Sequence, residues 1–194
     1  MYKAIKYGMY NSEYTIFCDC WDLVFSISPQ HLFTSYLQWF PDLAVIVSSE
    51  KNCFPTDLKK EYDNLAEQAM LHYKYRYLNS GMIVGKTSDI LKCLEVMDLE
   101  NVPDDHYDGE KMVHPNDQFL WQQTFLKQPV HIRLDYNQIL CNTLHSVTLY
   151  DLSFEPQGIL NKETNHVPCS FHFNGNAKTE NRLREPILKH LKLL

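Results

Sequence analysis

Two carboxylates three residues apart, Asp19 and Asp22, sit where one apolar segment, Tyr14-Thr-Ile-Phe-Cys18, stops and a second, Leu23-Val-Phe25, begins. Carboxylates at the carboxyl end of a buried strand lie where open α/β sheets bind their ligands. Hard oxygen donors at this spacing suit a divalent cation that carries phosphate oxygens. A D-x-x-D pair is common, however, and the same residues serve equally well as a polar turn between two strands.

Other segments place polar groups where chemistry is possible, each with a plainer alternative. Asn79-Ser80-Gly81 interrupts an apolar run. Glycine there suits close approach of a ligand to the backbone, and the Asn79 amide could bond sugar hydroxyls; a β-bulge without a ligand explains the same residues. Asp117 and Gln118 open a helix, where an acid is favoured by capping and by the helix dipole alone. His172 alternates with Phe171 and Phe173, the setting of a half-buried histidine as much as of a ligand. After it, Asn174, Gly175 and Lys178 form a loop running into a helix, able to offer N–H groups and a cation to phosphate. A hairpin-like turn with a solvated lysine is the alternative. Cys169-Ser-Phe-His172 has C-x-x-H spacing and could join Cys18 and Cys20 around zinc. Both clusters lie in strand-like runs rather than on knuckles, which favours buried free thiols.

The elements that must position these groups alternate between strand and helix. Residues 14–18 and 23–27 read as strands flanking the acidic turn. Ser28-Pro29 starts a helix, with Ser28 as N-cap and Pro29 at the first helical position. Leu32, Phe33, Tyr36, Leu37 and Phe40 recur at helical spacing until Pro41. Leu43-Ala-Val-Ile-Val-Ser is a continuous apolar strand of the kind buried on both faces of a parallel sheet. Helices are expected over 56–70, 88–97, 116–126 and 179–192. Further strands are expected over 77–84, 130–134, 146–151 and 167–172, and an acidic irregular loop over 100–115. The alternation predicts one α/β domain over residues 1–194 with a mostly parallel sheet flanked by helices.

Composition narrows the function. A formal charge of −6 argues against a nucleic-acid footprint. No apolar run approaches the roughly 20 residues needed to span a bilayer. The amino terminus has no apolar core of a signal peptide, so a complete chain would be cytoplasmic.

Taken in order, the motifs resemble the glycosyltransferase domain of the procollagen-lysine hydroxylases. They are Asp19-Cys-Trp-Asp22, Ser48-Ser-Glu50-Lys-Asn-Cys53-Phe-Pro55, Leu78-Asn79-Ser80-Gly81, Asn116-Asp117-Gln118, Leu134-Asp135 and His172-Phe-Asn174-Gly175-Asn-Ala-Lys178. The resemblance implies a GT-A-type domain that moves glucose from UDP-glucose to a hydroxylysine-linked sugar on a peptide. It implies Mn²⁺ held by Asp19, Asp22 and His172, with metal binding fading below about pH 6 as the histidine protonates. Trp21 would stack on the uracil or ribose, with core packing as the alternative. Asn79, Ser80, Gly81, Asn174, Gly175 and Lys178 would surround the UDP-sugar. Asn116, Asp117 and Gln118 would face the transferred hexose and the acceptor.

Three departures stand against the family pattern. Asn116 replaces the first acid of Asp-Asp-Gln, and an amide cannot carry charge or act as a base. Phe54 replaces the tryptophan of Cys-Trp-Pro. Phe173 puts a ring where the family has glycine. The sequence also lacks the amino-terminal βαβ part of such a domain, so the reading divides between a fragment and a reduced domain. A fragment of a family member would belong in the endoplasmic reticulum or secretory pathway. A catalytically inactive binding module is the competing functional reading.

Overall fold

A computed structural model describes residues 1–9, 11–70, 72–97, 99, 117–178 and 181–194. The acidic segment 100–115 and Asn116 lie outside the described residues. The elements run α1 (Tyr2–Lys6), β1 (Tyr14–Cys18), β2 (Leu23–Phe25), α2 (Pro29–Trp39), β3 (Val45–Glu50), α3 (Lys59–Gln68), β4 (Tyr77–Lys86) and α4 (Thr87–Val96). They continue with α5 (Asp117–Lys127), β5 (Ile132–Leu134), β6 (Asn142–Thr143), β7 (Leu152–Glu155), β8 (Gly158–Asn161), β9 (Ser170–His172) and α6 (Asn181–His190).

The largest sheet has the order β1-β4-β3-β5. Strand β4 is antiparallel to both β1 and β3, and only β5 runs parallel to β3. The expected mostly parallel sheet is therefore corrected to a largely antiparallel one. The apolar run that suggested parallel pairing does form β3, which is buried at every position. Such a run reports that both faces are covered, and helices can cover both faces whatever the strand direction. Val45 and Val47 pack with Tyr62 of α3, Ile90 and Leu94 of α4, and Trp121 and Phe125 of α5. Ile46, on the opposite face, packs with Leu32 and Tyr36 of α2 and with Phe40 at its C-cap. Helix α2 starts as its sequence requires: the Ser28 hydroxyl accepts from the His31 N–H, with Pro29 in the first turn.

A second sheet, β2-β9-β6, pairs β2 antiparallel and β6 parallel to β9. The strand expected over 146–151 is instead a 3₁₀ turn at Leu149–Asp151, closed by a reciprocal Thr148–Asp151 capping box. The strand begins one residue later as β7 and returns as β8 across Pro156-Gln157. Gly158 closes that hairpin at φ 144°, and a Cβ there would meet Val167 at 2.7 Å. Leu152 and Ile159 of the hairpin pack with Phe171, Phe173, Leu183 and Ile187 in a third cluster.

Glu163, just past β8, ties this carboxyl-terminal part to the large sheet. Its carboxylate accepts from Lys74 Nζ and Tyr75 OH, each at 2.9 Å, and pairs with Lys51 at 2.5 Å. Burial alone would raise its pKa, but these donors outweigh burial and hold it below the ordinary glutamate value. The folded state therefore binds its proton less tightly than the unfolded chain. Its contribution is complete above the unfolded pKa and is lost as pH falls through the folded one. Glu163→Gln is expected to cost about 1–2 kcal/mol at neutral pH. In urea unfolding series that difference should close below about pH 4.

Candidate metal and ligand site

The site forms at the corner where the two sheets meet. Asp19 follows the last residue of β1, and its N–H extends the β1–β4 ladder by donating to the Gly81 carbonyl at 2.9 Å. Asp22 precedes β2, and its carbonyl accepts from the Phe173 N–H at 2.7 Å, extending the β2–β9 ladder. In that ladder Leu23 lies opposite His172. The register thus brings His172, 150 residues away in the sequence, beside the acidic turn. Ligand-type atoms of Asp19, Asp22 and His172 all lie within 4.8 Å of one another, and the group includes no cysteine. Of the six free thiols, Cys53, Cys93, Cys141 and Cys169 are buried, whereas Cys18 is half-buried and Cys20 exposed, so among the candidate zinc ligands the buried-thiol expectation holds for Cys169 and not for Cys20.

His172 is 3% exposed. Its Nε2 lies 3.4 Å from Asp19 Oδ2 and 3.4 Å from Asp22 Oδ1, and makes no hydrogen bond among the described residues. Two hard oxygens and one imidazole nitrogen this close together fit a divalent cation that accepts mixed ligands, such as Mn²⁺. Burial pushes the His172 pKa down, the two carboxylates push it up, and the net direction is up.

The ring of His172 rests against the bulge in β4. Between the pairs Val47↔Ile83 and Ser49↔Leu78 the register shifts, so residues 79–82 bulge opposite Ser48. Ser48 Oγ fills the gap, donating to the Asn79 carbonyl at 2.8 Å and accepting from Met82 N at 3.2 Å. A Cβ at Gly81 would stand 2.1 Å from His172 Cε1, so only glycine leaves room for the ring.

Beside this triad opens a cavity of about 510 Å³, lined in part by Asp19, Glu50, Asp117, His145, His172 and Gly175. Glu50, 2% exposed, forms part of its wall. Gln118 Nε2 (3.0 Å) and Asn79 Nδ2 (3.1 Å) donate to Glu50 Oε1, and Asn174 Nδ2 (3.0 Å) donates to Oε2. Burial raises the Glu50 pKa, against the pull of those amides and of His145 and His172. The Gln118 amide also reaches the Phe54 carbonyl, and its oxygen accepts from Asn79 Nδ2 and Ser80 N. Asp117 Oδ2 accepts from Ser80 Oγ at 3.0 Å.

Asn79, Ser80, Asp117, Gln118, Asn174 and Gly175 line the cavity, and Gly81 adjoins it through His172. Asn79 and Gln118 spend their amides on neighbouring protein groups. Trp21 is 90% exposed, which removes core packing as its role. Lys178 ends the 3₁₀ turn Gly175–Lys178, and its side chain is outside the described part. Phe173 is buried in the third cluster and sends no ring into the cavity. Asp135 accepts from the N–H groups of Ile139, Leu140 and Cys141 and so organises a buried turn. Sequence reasoning assigned no role to Glu50 or His145. A charged residue ending a strand that opens with Val45-Ile-Val47 was the available signal for Glu50; His145 had none.

Comparison with known proteins adds a family. Residues 3–189 match a family model described as PLOD GT domain. The chain is 29% identical over 169 residues to uncharacterised protein R699 of Acanthamoeba polyphaga mimivirus, covering 87% of this chain and 32% of that protein. It is 23% identical over 179 residues to a Caenorhabditis elegans protein named multifunctional procollagen lysine hydroxylase and glycosyltransferase, covering 90% of this chain and 23% of that protein. The chain thus spans about a third of one relative and about a quarter of the other.

Gly81→Ala tests the packing of the site. The added methyl must displace His172, and overpacking of this kind costs about 1–3 kcal/mol. Mn²⁺ binding, followed by the electron paramagnetic resonance of free Mn²⁺, is expected to weaken at least about tenfold while the circular dichroism of the fold persists. Unchanged binding would mean that the ring does not need its place against Gly81.

Proposed function

We propose, from the premise that this chain belongs to the family of PLOD GT domains, that it is a metal-dependent glycosyltransferase domain. In this reading it moves a hexose from a UDP-sugar, with UDP-glucose the expected donor, to a hydroxylysine-linked sugar or a similar hydroxyl acceptor. The observation that carries the reading is the convergence of Asp19, Asp22 and His172 beside a cavity whose wall Asp19 and His172 help to form.

Asp19 and Asp22 would each give an oxygen, and His172 its Nε2, to a divalent cation. Such an ion, when bound, supplies positive charge for a diphosphate leaving group. The chain's own groups do the rest. Asp117, whose Oδ2 accepts from Ser80 Oγ, would orient hydroxyls of the hexose or the acceptor. Glu50 has both oxygens occupied by amide donors, which leaves it poorly suited to act as a nucleophile. Front-face attack is the simplest course: the acceptor oxygen bonds to the anomeric carbon, the bond to UDP breaks, and the acceptor proton passes to the departing phosphate. Exposed Trp21 is available to stack on the uridine.

The inactive-module reading is favoured by Asn116, an amide where the resemblance in sequence implies an acid. The buried ring of Phe173 gives it no support.

Calorimetric titration of UDP, with and without Mn²⁺, separates these readings. UDP binding is expected to require Mn²⁺ and to weaken at least about tenfold in Asp22→Ala. Metal-dependent UDP binding without turnover of UDP-hexose would select the inactive module, and UDP binding indifferent to Mn²⁺ would contradict the metal site itself.

The raised pKa of His172 adds a pH dependence. A proton competes with the metal for Nε2, so Mn²⁺ affinity should start to fall above the ordinary histidine pKa of about 6.5 and decline further toward pH 5.5. Constant affinity across that range would remove His172 from the ligand set.

A further inference from the structure

Asn79 carries a consequence beyond lining the cavity. Its amide has two chemically different ends, and each is fixed by an unambiguous partner. The Gly81 backbone N–H, which can only donate, lies 3.0 Å from Asn79 Oδ1. The Glu50 carboxylate, which when ionised can only accept, lies 3.1 Å from Asn79 Nδ2. The orientation of the amide therefore follows from the network. Its oxygen faces His172 Nδ1 at 3.0 Å.

Only a protonated Nδ1 makes that contact favourable. With the single proton of a neutral imidazole on Nδ1, Nε2 keeps its lone pair, and Nε2 is the nitrogen that faces Asp19 and Asp22. Left to themselves, two carboxylates at 3.4 Å would draw the proton to Nε2 and block it as a ligand. Glu50 is secured in turn, because the other amides that donate to it have their oxygens pinned by backbone N–H groups. Gln118 Oε1 accepts from Ser80 N, and Asn174 Oδ1 accepts from Leu144 N and His145 N.

We propose that Asn79, held in orientation by Gly81 and Glu50, is a positioning residue that places the His172 proton on Nδ1 and so assigns Nε2 as the ligand nitrogen. The tautomer is a property of the metal-free chain; its bearing on metal affinity rests on the metal-site reading above. Groups that hold the other ring nitrogen of a ligating histidine in this way typically change metal affinity by about 10–100-fold. Asn79 is thereby a supporting group for the metal site and not a donor to sugar hydroxyls.

The test is nitrogen NMR of the metal-free chain with ¹⁵N-labelled histidine, at a pH where His172 has titrated to neutral, with its signal identified by its loss in His172→Gln. Wild type is expected to show protonated Nδ1 and unprotonated Nε2. Asn79→Ala should move the proton to Nε2 and weaken Mn²⁺ binding about 10–100-fold. Asn79→Asp keeps an acceptor for Nδ1–H and should keep the wild-type tautomer, which guards against misfolding of the alanine variant. A wild-type proton on Nε2, or a tautomer unmoved in a folded Asn79→Ala, would overturn the proposal. The expected tautomers in a chain that binds no Mn²⁺ would leave Asn79 assigned and bring down the metal reading alone.

Discussion

Strand β9 pairs with β2 over only three residues, and the geometry of the site follows from that pairing. Side chains alternate along a strand, so a slip of one residue would turn His172 to the other face. Phe171 and Phe173 would then leave the third core cluster and turn toward the acidic corner. The apolar residues on either side of the histidine thus specify its direction more firmly than any polar contact does. The same ladder ends in the Phe173–Asp22 hydrogen bond, and the β1–β4 ladder ends in the Asp19–Gly81 bond. Each acid is tied to a different sheet, and the distance between them is set by how those sheets meet.

The second constraint is the bulge in β4. It takes Asn79 and Ser80 out of the β3–β4 ladder and onto the cavity wall, and Ser48 satisfies the backbone groups that the bulge releases. Around it lies a buried polar network in which Glu50 is the shared acceptor. In a low-dielectric setting such a network is rigid when every donor and acceptor is matched and costly when one is not. Matching here is close enough to fix amide orientations, and through them a histidine tautomer. Packing of Gly81 against the imidazole joins the bulge to the sheet corner, so the two constraints act on one ring.

Much of this was legible in the sequence because it depends on local chemistry. The acidic turn between apolar runs, the Ser28-Pro29 helix start and the breaks at Asn79-Ser-Gly81 are written in residue types that have few alternatives. Strand direction was not legible, because an apolar run such as that of β3 reports coverage on both faces and says nothing of its neighbours' orientation. The β7–β8 hairpin was missed although Pro156-Gln-Gly158 is a turn signal. Its strands are short, and the β-branched and aromatic residues of Val147-Thr-Leu-Tyr150 just before them read as the strand instead. Within the site, residue types identified Asp19, Asp22 and His172 as possible ligands but could not show that Asn79 and Gln118 are consumed by protein partners. His145 reaches the cavity wall only through the fold of the chain around Gly175, and no local pattern announces it.

In the proposed site, two carboxylates and one imidazole from opposite ends of the chain hold a single divalent ion beside the cavity. Anomalous diffraction at the manganese edge, from crystals of the chain soaked in Mn²⁺ and UDP, tests it most directly. One strong peak within coordination distance of Asp19, Asp22 and His172 Nε2 is expected. A crystal that binds UDP with no peak there, or with manganese held elsewhere, would contradict it.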